Sequence, residues 1–423
     1  MQRAQKTKEV QRTARFGARR KNAAGWPGAT GLYDPGYEHD SCGVGFIADV
    51  NAEARHDLVE DAVRILVKLE HRGAVGGDRV TGDGAGLLLG LPDAFLRSEA
   101  AALGFELPPV GDYAVGMIFL PTTRELADAC MEKLEHIASA EDARVLGWRD
   151  VPARAESLGA FARSTMPRFR QIFIARGDIP REAFERKLFV IRRRAENAVS
   201  AWQSADLSQF YIASLSSRST VYKGMLVGSG LTRVFPDLED PRFRSPYAIV
   251  HQRYSTNTLP TWELAQPFRM LAHNGEINTL EGNIHRMRAR EAELYSPLFG
   301  PDIDAIKPVV RKGTSDSATL DNALELLVLG GRSLPHATMM LVPEAWGSRF
   351  HISEDKRAFY EYHSAFMEPW DGPAALAFTD GRYIGANLDR NGLRPARYTI
   401  TSDDLVVMAS ETGVLDFAPE RVR

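Results

Sequence analysis

The chain has 423 residues, of which 44% are hydrophobic and 25% are charged, a balance typical of a globular protein with a large core. Its formal charge of -3 at pH 7 gives no general reason to expect a nucleic-acid or anionic-membrane partner. There is no apolar run of membrane-spanning length, and two cysteines are too few for a disulfide framework, a four-cysteine zinc site or an iron–sulfur cluster held by this chain alone.

The N-terminal segment differs from the rest of the chain in charge. The first 21 residues contain eight basic residues and one acidic residue, Glu9. Such a segment is usually a disordered tail, with a binding arm or an organelle transit peptide as alternatives. A turn-rich stretch from Gly25 to Gly36 follows and indicates a connecting segment. We therefore expect ordered structure to begin near Ser41, and we expect a cytoplasmic protein unless the basic start is a transit segment.

The first ordered elements are predicted from apolar spacing. Residues 42–50 are apolar and contain glycine, as in a buried strand. Apolar residues at helical spacing between Asp57 and Glu70 predict an amphipathic helix with Asp57 as its N-cap. A similar stripe over residues 126–137 predicts a second helix that places Cys130 on its buried face, as part of the core.

Further strands are predicted from short runs of branched and aromatic residues, at 113–120, 171–175, 211–215 and 248–253. Near the end of the chain, Asp380-Gly381 separates two more such runs and predicts a two-residue hairpin turn. Strands and helices alternate irregularly, without the regular repeat of a doubly wound sheet. The sequence therefore favours an α+β fold of packed layers.

Two segments could supply a nucleophile and stabilise negative charge. Cys42 precedes a strand of small residues, where backbone can lie close to a bound molecule, although a buried structural cysteine is the alternative. The Asn274 carboxamide and the Gly275 N–H stand side by side. They could donate to the oxyanion that forms when a thiol attacks an amide, or the Asn-Gly pair could be a hairpin turn.

Two charged residues could bind the ends of an amino acid. Arg253 follows an apolar run and would share a strand face with His251, so its guanidinium could bind a carboxylate; a solvated arginine at a strand end is the commoner case. Asp316 could pair with an ammonium group. Its position before the periodic run Leu320, Leu324 and Leu327 also fits a helix N-cap, which local pattern favours.

Nucleotide and metal sites are not predicted. The glycine-rich segment Thr81 to Gly86 does not have its third glycine at the spacing of a dinucleotide-binding motif. Lys312-Gly313-Thr314 has the wrong order for the end of a phosphate-binding loop. The ten histidines show no HExxH or similar spacing, so we expect no metal site.

Together, these segments resemble the class II, N-terminal-nucleophile glutamine amidotransferases, and within that class the large subunit of glutamate synthase. Asp40-Ser41-Cys42-Gly43 is similar to the processing site, and Leu69-Glu70-His71-Arg72-Gly73 to a turn shared by the class. Five further segments resemble the corresponding segments of glutamate synthase in particular: residues 81–86, 251–258, 262–280, 313–327 and 359–398. The resemblance covers nearly everything after residue 33.

The resemblance implies a fold and a maturation step. The fold would be a four-layer αββα sandwich of antiparallel sheets, with a type 2 glutamine amidotransferase domain over residues 42–423. The basic pro-segment, residues 1–41, would be removed by cleavage of the Ser41–Cys42 bond. Cys42 would then carry both the nucleophilic thiol and a free α-amine, and an α-amine titrates near ~7.7 to 8 and can act as the base.

The resemblance also implies roles for four further residues. Asn274 and Gly275 correspond to the oxyanion hole. Arg253 corresponds to the group that binds the α-carboxylate of glutamine, and Asp316 to the group that binds its α-ammonium. No metal ligand is implied.

The implied reaction is hydrolysis of L-glutamine to glutamate and ammonia through a glutamyl thioester on Cys42. In the full enzyme the ammonia would pass to 2-oxoglutarate in the synthase regions to form glutamate. FMN, an iron–sulfur cluster, and an NAD(P)H-dependent small subunit or ferredoxin as electron donor belong to the full enzyme, and no cofactor is implied for this chain. The alternatives are another class II amidotransferase, a different N-terminal-nucleophile amidohydrolase, and a non-catalytic regulatory domain that is never processed.

Overall fold

The computed structural model describes residues 42–78, 80–202, 204–253, 259–311 and 313–423. The predicted pro-segment, with Ser41 of the predicted cleavage site, lies outside the described residues. The same is true of residues 254–258 and of Lys312. No described helix combines the length and the apolar character needed to cross a membrane.

The strands and helices are labelled here in chain order. The strands are β1 (Gly43–Asp49), β2 (Ala85–Gly90), β3 (Tyr113–Leu120), β4 (Arg144–Asp150), β5 (Arg168–Ala175), β6 (Tyr211–Ser216), β7 (Ser219–Gly224), β8 (Tyr247–Gln252), β9 (Leu271–Gly275), β10 (Ala374–Thr379), β11 (Ile384–Leu388), β12 (Arg397–Ile400) and β13 (Leu405–Ala409). The α-helices are α1 (His56–Lys68), α2 (Asp93–Ala102), α3 (Arg124–Ala140), α4 (Ala160–Ser164), α5 (Arg181–Ser200), α6 (Leu231–Val234), α7 (Leu280–Glu291), α8 (Asp316–Leu329), α9 (Leu334–Leu341) and α10 (Glu354–Ser364).

The strands form three sheets, and every pairing between the described strands is antiparallel. The six-stranded sheet has the order β12-β13-β1-β8-β2-β7, the three-stranded sheet β11-β10-β9, and the four-stranded sheet β4-β5-β3-β6. β1 therefore lies in the interior of the largest sheet, between β13 and β8. The predicted strands 113–120, 171–175, 211–215 and 248–253 correspond to β3, β5, β6 and β8.

Side-chain alternation along β1 explains how the layers stack. Val44 belongs to a core that also contains Ala375 of β10, so the six-stranded and three-stranded sheets face each other. Ile47, on the opposite face of β1, packs with the buried face of α1. Phe378, on the outer face of the three-stranded sheet, packs with α8 and α9. The order helix, sheet, sheet, helix confirms the predicted α+β layering with antiparallel sheets.

The four-stranded sheet lies beside this stack and contributes to two cores. One of its faces joins the core that contains α1. The other packs against α3 and α5 and encloses Cys130, which is fully buried, as predicted. Burial raises the pKa of the Cys130 thiol to about 11, so this thiol is protonated and unreactive at neutral pH.

The predicted N-cap of the first helix was wrong. The helix begins at His56, and the capping position belongs to Arg55, whose side chain makes no capping hydrogen bond. Arg55 is extended because its backbone N–H donates to the Ser245 carbonyl at 3.2 Å. Asp57 lies instead in the first helical turn, where a carboxylate is favoured by the helix dipole.

The predicted two-residue hairpin was also wrong in its length. Thr379 pairs with Ile384, so four residues, 380–383, connect β10 to β11. The Asp380 carboxylate accepts from the backbone N–H groups of Arg382 and Tyr383, at 3.0 and 2.9 Å. An aspartate that satisfies two turn N–H groups stabilises the longer loop.

A buried ionic cluster joins α5 to the elements around β9. Glu196 accepts from Arg193 at 2.9 Å, from Arg269 at 3.1 Å and from Arg192 at 3.2 Å, and it also pairs with Arg311. Burial alone would raise the pKa of Glu196, but the four guanidinium groups outweigh it and hold that pKa well below its usual range.

We expect Glu196→Gln to lower the free energy of unfolding by about 3 kcal/mol at pH 7, because it leaves buried guanidinium groups without their shared anion. Urea denaturation measures the change. Because the folded pKa of Glu196 lies below the ~4.3 of an unfolded glutamate, its contribution is present at pH 7 and is lost as the pH falls below ~4. The matched control, Glu361→Gln at an exposed position of α10, should change stability by less than ~0.5 kcal/mol. Equal effects of the two substitutions would contradict the proposed importance of the cluster.

Candidate active site

Cys42 and Arg253 lie at the same end of the six-stranded sheet. Gly43 pairs with Gln252 between β1 and β8, so the residues just beyond this pair, Cys42 and Arg253, are neighbours. On the other side of Arg253, its backbone N–H donates to the Gly84 carbonyl at 2.8 Å. The predicted nucleophile and the predicted carboxylate-binding residue therefore meet at one strand end.

Strand alternation directs the predicted site residues into the space between the two facing sheets. Val44 of β1 and Ala272 of β9 lie in the core between these sheets. Since alternate residues of a strand share a face, Cys42 and Asn274, each two positions away, face the same space. Cys42 is 8% exposed, so the thiol is close to the surface of this core but largely covered.

Arg253 is buried, in contrast to the solvated arginine that is more common at a strand end. Burial lowers the pKa of its guanidinium, whereas the charges of Cys42, Asp83 and Asp316 raise it. These three groups therefore lie close enough to Arg253 to act on its charge. A buried guanidinium beside a nucleophile and a separate carboxylate is suited to orient an anionic group of a substrate.

Asn274 and Gly275 do not form a hairpin turn. They are the last two residues of β9 and pair with Ala375 and Ala374 of β10. Gly275 has a φ of +149°, and a Cβ at this position would lie 1.8 Å from the Pro373 carbonyl oxygen. Only glycine fits here, so the backbone conformation at the end of β9, which positions Asn274 and the Gly275 N–H, depends on this residue.

Asp316 is the first residue of α8 and not its N-cap, so the favoured local interpretation was wrong. Ser315 is the N-cap, and its hydroxyl accepts from the Ala318 N–H at 3.2 Å. One Asp316 carboxylate oxygen accepts from the Ile277 N–H at 2.9 Å, and the other from the Ser317 N–H at 2.7 Å. The carboxylate is thereby fixed between α8 and the segment after β9, with 20% of the side chain exposed.

A buried polar network joins β8, β9 and α8, the three elements that lead to Arg253 or carry Asn274 and Asp316. His251 of β8 donates from Nε2 to the His273 carbonyl of β9 at 3.0 Å. Gln266 donates to the same carbonyl at 3.2 Å and accepts from the His273 N–H at 2.7 Å. The His273 Nδ1 lies 2.9 Å from the Ser317 hydroxyl at the start of α8. The network therefore fixes β8, β9 and α8 relative to one another.

The two histidines of this network are not suited to act as a base. Burial lowers the pKa of His251 to about 3, and burial also lowers the pKa of His273. Both imidazoles are therefore neutral at neutral pH. Because Nε2 of His251 must donate to a carbonyl, its tautomer is fixed by the network.

The glycine-rich segment that leads into β2 packs closely against neighbouring parts of the chain. A Cβ on Gly82 would lie 2.2 Å from the Leu226 carbonyl oxygen, and one on Gly86 would lie 2.6 Å from the Lys223 Cβ. Gly84 supplies the carbonyl that fixes Arg253. These glycines therefore allow close packing behind the site.

Among the residues that the structure describes, no group of three or more His, Cys, Asp or Glu side chains is arranged to hold a metal ion. Local sequence patterns did not identify Gln266 and Ser317. Both side chains act through contacts with β9, and Ser317 lies 44 residues from its partner His273.

A family model described as glutamine amidotransferases class-II matches residues 42–423. The large chain of the NADPH glutamate synthase of Bacillus subtilis is 48% identical over 398 residues, which cover 94% of this chain and 26% of that protein. The corresponding protein of Azospirillum brasilense is 46% identical, with the same two coverages. The ferredoxin-dependent glutamate synthase of Pyropia yezoensis is 42% identical over 91% of this chain and 25% of that protein. The chain thus spans about a quarter of the length of these relatives.

A solved structure of the glutamine phosphoribosylpyrophosphate amidotransferase from B. subtilis covers 71% of this chain and 42% of that chain. The identity is 15% and the TM-score is 0.27. A likeness at this level does not define the fold, which is established by the sheets and layers described above.

We expect Gly275→Ala to destabilise the protein by more than ~2 kcal/mol, because the added methyl group meets a backbone carbonyl and the backbone conformation disfavours alanine. Thermal unfolding measures the effect. Gly282→Ala is the matched control, since Gly282 lies within α7 with open space around its Cβ position. Alanine there should be neutral or stabilising by up to ~1 kcal/mol. A tolerated Gly275→Ala would show that β9 can shift at this point.

Proposed function

The chain belongs to the class II glutamine amidotransferases, and we propose that Cys42, made N-terminal by cleavage of the Ser41–Cys42 bond, hydrolyses L-glutamine to glutamate and ammonia. The predicted resemblance to this class and to the glutamate synthase large subunit is confirmed by the similarities above. The roles of individual residues are proposals that rest on their placement.

One observation carries the proposal. Cys42, Arg253 and Asn274 converge on one end of the space between two sheets, and the charge of Asp316 acts on Arg253 there. A cation and a carboxylate on separate elements match the two charged groups of an α-amino acid. A thiol and an amide donor match the chemistry of its side-chain carboxamide.

The first half of the reaction transfers the glutamyl group. The neutral α-amine of Cys42 takes the proton of the thiol, and the thiolate attacks the carboxamide carbon of glutamine. The Asn274 side chain and the Gly275 N–H stabilise the oxyanion. The C–N bond then breaks, the protonated amine returns its proton to the leaving nitrogen, and ammonia departs from a glutamyl thioester.

The second half regenerates the thiol. The α-amine takes a proton from water, the hydroxide attacks the thioester carbonyl, and the same donors stabilise the second oxyanion. The C–S bond breaks to give glutamate, and the proton held by the amine returns to the sulfur. Since burial makes His251 and His273 weak bases and the network engages a ring nitrogen of each, we assign the base in both halves to the α-amine of Cys42.

We also propose that the ammonia is used in a complete glutamate synthase, in regions outside residues 42–423. There it would condense with 2-oxoglutarate with loss of water, and two electrons from the electron donor would reduce the resulting imine to glutamate. FMN and an iron–sulfur cluster would bind in those regions. The residues here do not fit a four-cysteine cluster, because Cys42 and Cys130 are the only cysteines and Cys130 is enclosed in a core.

The electron donor and the compartment are part of the same proposal. The relatives are named as NADPH-, NADH- and ferredoxin-dependent glutamate synthases, so an NAD(P)H-dependent small subunit or ferredoxin is the expected partner type. We propose a cytoplasmic location. An organelle is the alternative if the basic N-terminus directs transport, and two relatives are named as chloroplastic.

We expect the purified protein to have a mass that begins at Cys42 and to gain one adduct from a glutamine-like diazo-ketone, because the electrophile alkylates the thiol within the glutamine site. Excess glutamine should prevent the adduct, and intact-mass spectrometry measures it. The two cysteines provide a matched pair of variants: Cys42→Ala should abolish the adduct and Cys130→Ala should retain it. A full-length mass without an adduct, or an adduct on Cys130, would reject Cys42 as the nucleophile.

We expect Arg253→Gln and Asp316→Asn each to raise the KM for glutamine by roughly 10- to 100-fold, since a hydrogen bond to a charged group contributes ~1.5 to 3 kcal/mol. Steady-state hydrolysis measures KM and kcat. Arg286→Gln, at an exposed position of α7, is the control and should leave KM unchanged. If neither substitution altered selectivity for glutamine over a simple amide, the proposed binding roles would be wrong.

A further inference from the structure

Ser317 places a buried hydroxyl directly beside the Asp316 carboxylate, although the proposed reaction gives it no role. It is the second residue of α8, and only 4% of it is exposed. Its Oγ lies 3.1 Å from Asp316 Oδ1, 2.9 Å from His273 Nδ1 and 3.3 Å from Gln266 Nε2. One hydroxyl therefore contacts the proposed ammonium-binding residue, strand β9 and the segment that precedes β9.

The neighbours of this hydroxyl decide where its single proton points. A serine hydroxyl has one O–H donor and two acceptor lone pairs. Gln266 accepts through Oε1 from the His273 N–H at 2.7 Å, so the group that contacts Ser317 is the NH2, which can only donate. It occupies one of the two lone pairs.

The second lone pair of the hydroxyl is used by His273. The Nδ1 atom of this residue also lies 3.7 Å from Asp316 Oδ2. A ring N–H is attracted by a neighbouring carboxylate, whereas a ring lone pair is repelled by it, so Nδ1 carries the proton and donates to Ser317 Oγ. Both lone pairs are then occupied, and the Ser317 proton is directed to Asp316 Oδ1.

The acceptor positions of Asp316 are nearly filled as a result. An ionised carboxylate has about four lone-pair sites, two on each oxygen. Oδ1 accepts from the Ser317 N–H at 2.7 Å and from the Ser317 hydroxyl, whereas Oδ2 accepts from the Ile277 N–H at 2.9 Å. One site therefore remains, on Oδ2. Because 20% of the Asp316 side chain is exposed, a donor from a bound molecule can reach the carboxylate.

We propose that Ser317 is a positioning residue for substrate recognition: its hydroxyl holds Asp316 Oδ1, so that Oδ2 receives an N–H of the α-ammonium group of L-glutamine. The inference rests on the proposed function, in which Asp316 binds that group. A charge-assisted hydrogen bond depends on direction as well as distance. A carboxylate that is held by three donors cannot rotate without breaking one of these bonds, so its free site keeps one direction.

Ser317 also contacts His273, the residue before Asn274, and this contact offers a second route to the reaction. The two routes act on different groups of the substrate. An effect through Asp316 requires an α-ammonium, whereas an effect through Asn274 acts on the carboxamide of any substrate. Glutaramate, which is glutamine without its α-amino group, separates the two routes.

The test compares Ser317→Ala with the unsubstituted mature protein in the hydrolysis of L-glutamine and of glutaramate. Because one donor to Asp316 is lost, we expect kcat/KM for L-glutamine to fall roughly 3- to 10-fold, mainly through KM. The value for glutaramate should change by less than ~2-fold, since no ammonium is present. In an Asp316→Asn background, the same substitution should add little further loss for L-glutamine, because the two residues act as a unit.

Ser214→Ala is the matched control, because it also removes a buried hydroxyl. Ser214 is 2% exposed, and its Oγ accepts from the Val221 N–H at 3.2 Å. The two residues belong to β6 and β7, neither of which carries a residue of the proposed site. This control should lower stability without changing the preference for L-glutamine over glutaramate.

Binding of the product gives a readout that needs no turnover. Isothermal titration calorimetry measures the Kd of L-glutamate and of glutarate, which lacks the α-amino group. Ser317→Ala should weaken binding of L-glutamate roughly 3- to 10-fold and leave that of glutarate unchanged. An equal loss for the compounds with and without the α-amino group, or no loss for L-glutamine and L-glutamate, overturns the inference. If this contrast in binding were found in a protein that hydrolyses no glutamine, the proposed function would fail and the role of Ser317 would stand.

Discussion

The carbonyl oxygen of His273 is the acceptor on which the geometry of the site depends. It receives donors from His251 of β8 and from Gln266, and all three groups are buried. Arg253 lies two residues after the donor His251, and Asn274 directly follows the acceptor His273. The contact between the two histidines therefore sets the distance between the two sheets at the site. Loss of a buried acceptor leaves donors unsatisfied, at a cost of ~1 to 3 kcal/mol each. The network is therefore strong enough to hold the site residues before any substrate binds.

The arrangement of buried charge extends this rigidity to α8. Arg269 contacts both Glu196 of α5 and the Asp321 carboxylate of α8, and the Asp321 carboxylate also accepts from the Met270 N–H at 2.9 Å. The start of β9 and the body of α8 are thereby joined through ion pairs, while Asp316 joins their ends at the site. Because α8 is anchored to the segments around β9 both at Asp321 and at its first residue, the Asp316 carboxylate moves little. This fixed position is what a group needs in order to distinguish an α-ammonium from water or a neutral amide.

The sequence predicted those parts of the molecule that are encoded by neighbouring residues. The strand after Cys42, the apolar strand before Arg253 and the helix around Cys130 follow from local apolar spacing, and they are found where expected. The cap assigned to Asp57 failed because a backbone contact between Arg55 and the distant Ser245 decides where that helix begins. The cap assigned to Asp316 failed because the preceding residue, Ser315, takes that position and accepts from the Ala318 N–H. Ser317 was not predicted, since its partner His273 lies 44 residues away. Contacts of this separation are formed when distant segments pack together and leave no local pattern.

In the proposed mechanism, the interior position of β1 has a chemical consequence. Side chains of a strand point to one face of the sheet or the other. A cysteine at the start of a strand therefore directs its thiol to one face, whereas its main-chain nitrogen points along the strand. The thiol then shares the inter-sheet space with Arg253 and Asn274, which select and polarise the substrate. Because β1 is paired with β13 on one side and with β8 on the other, the sheet holds the start of the strand, and with it both the thiol and the main-chain nitrogen, in a fixed position.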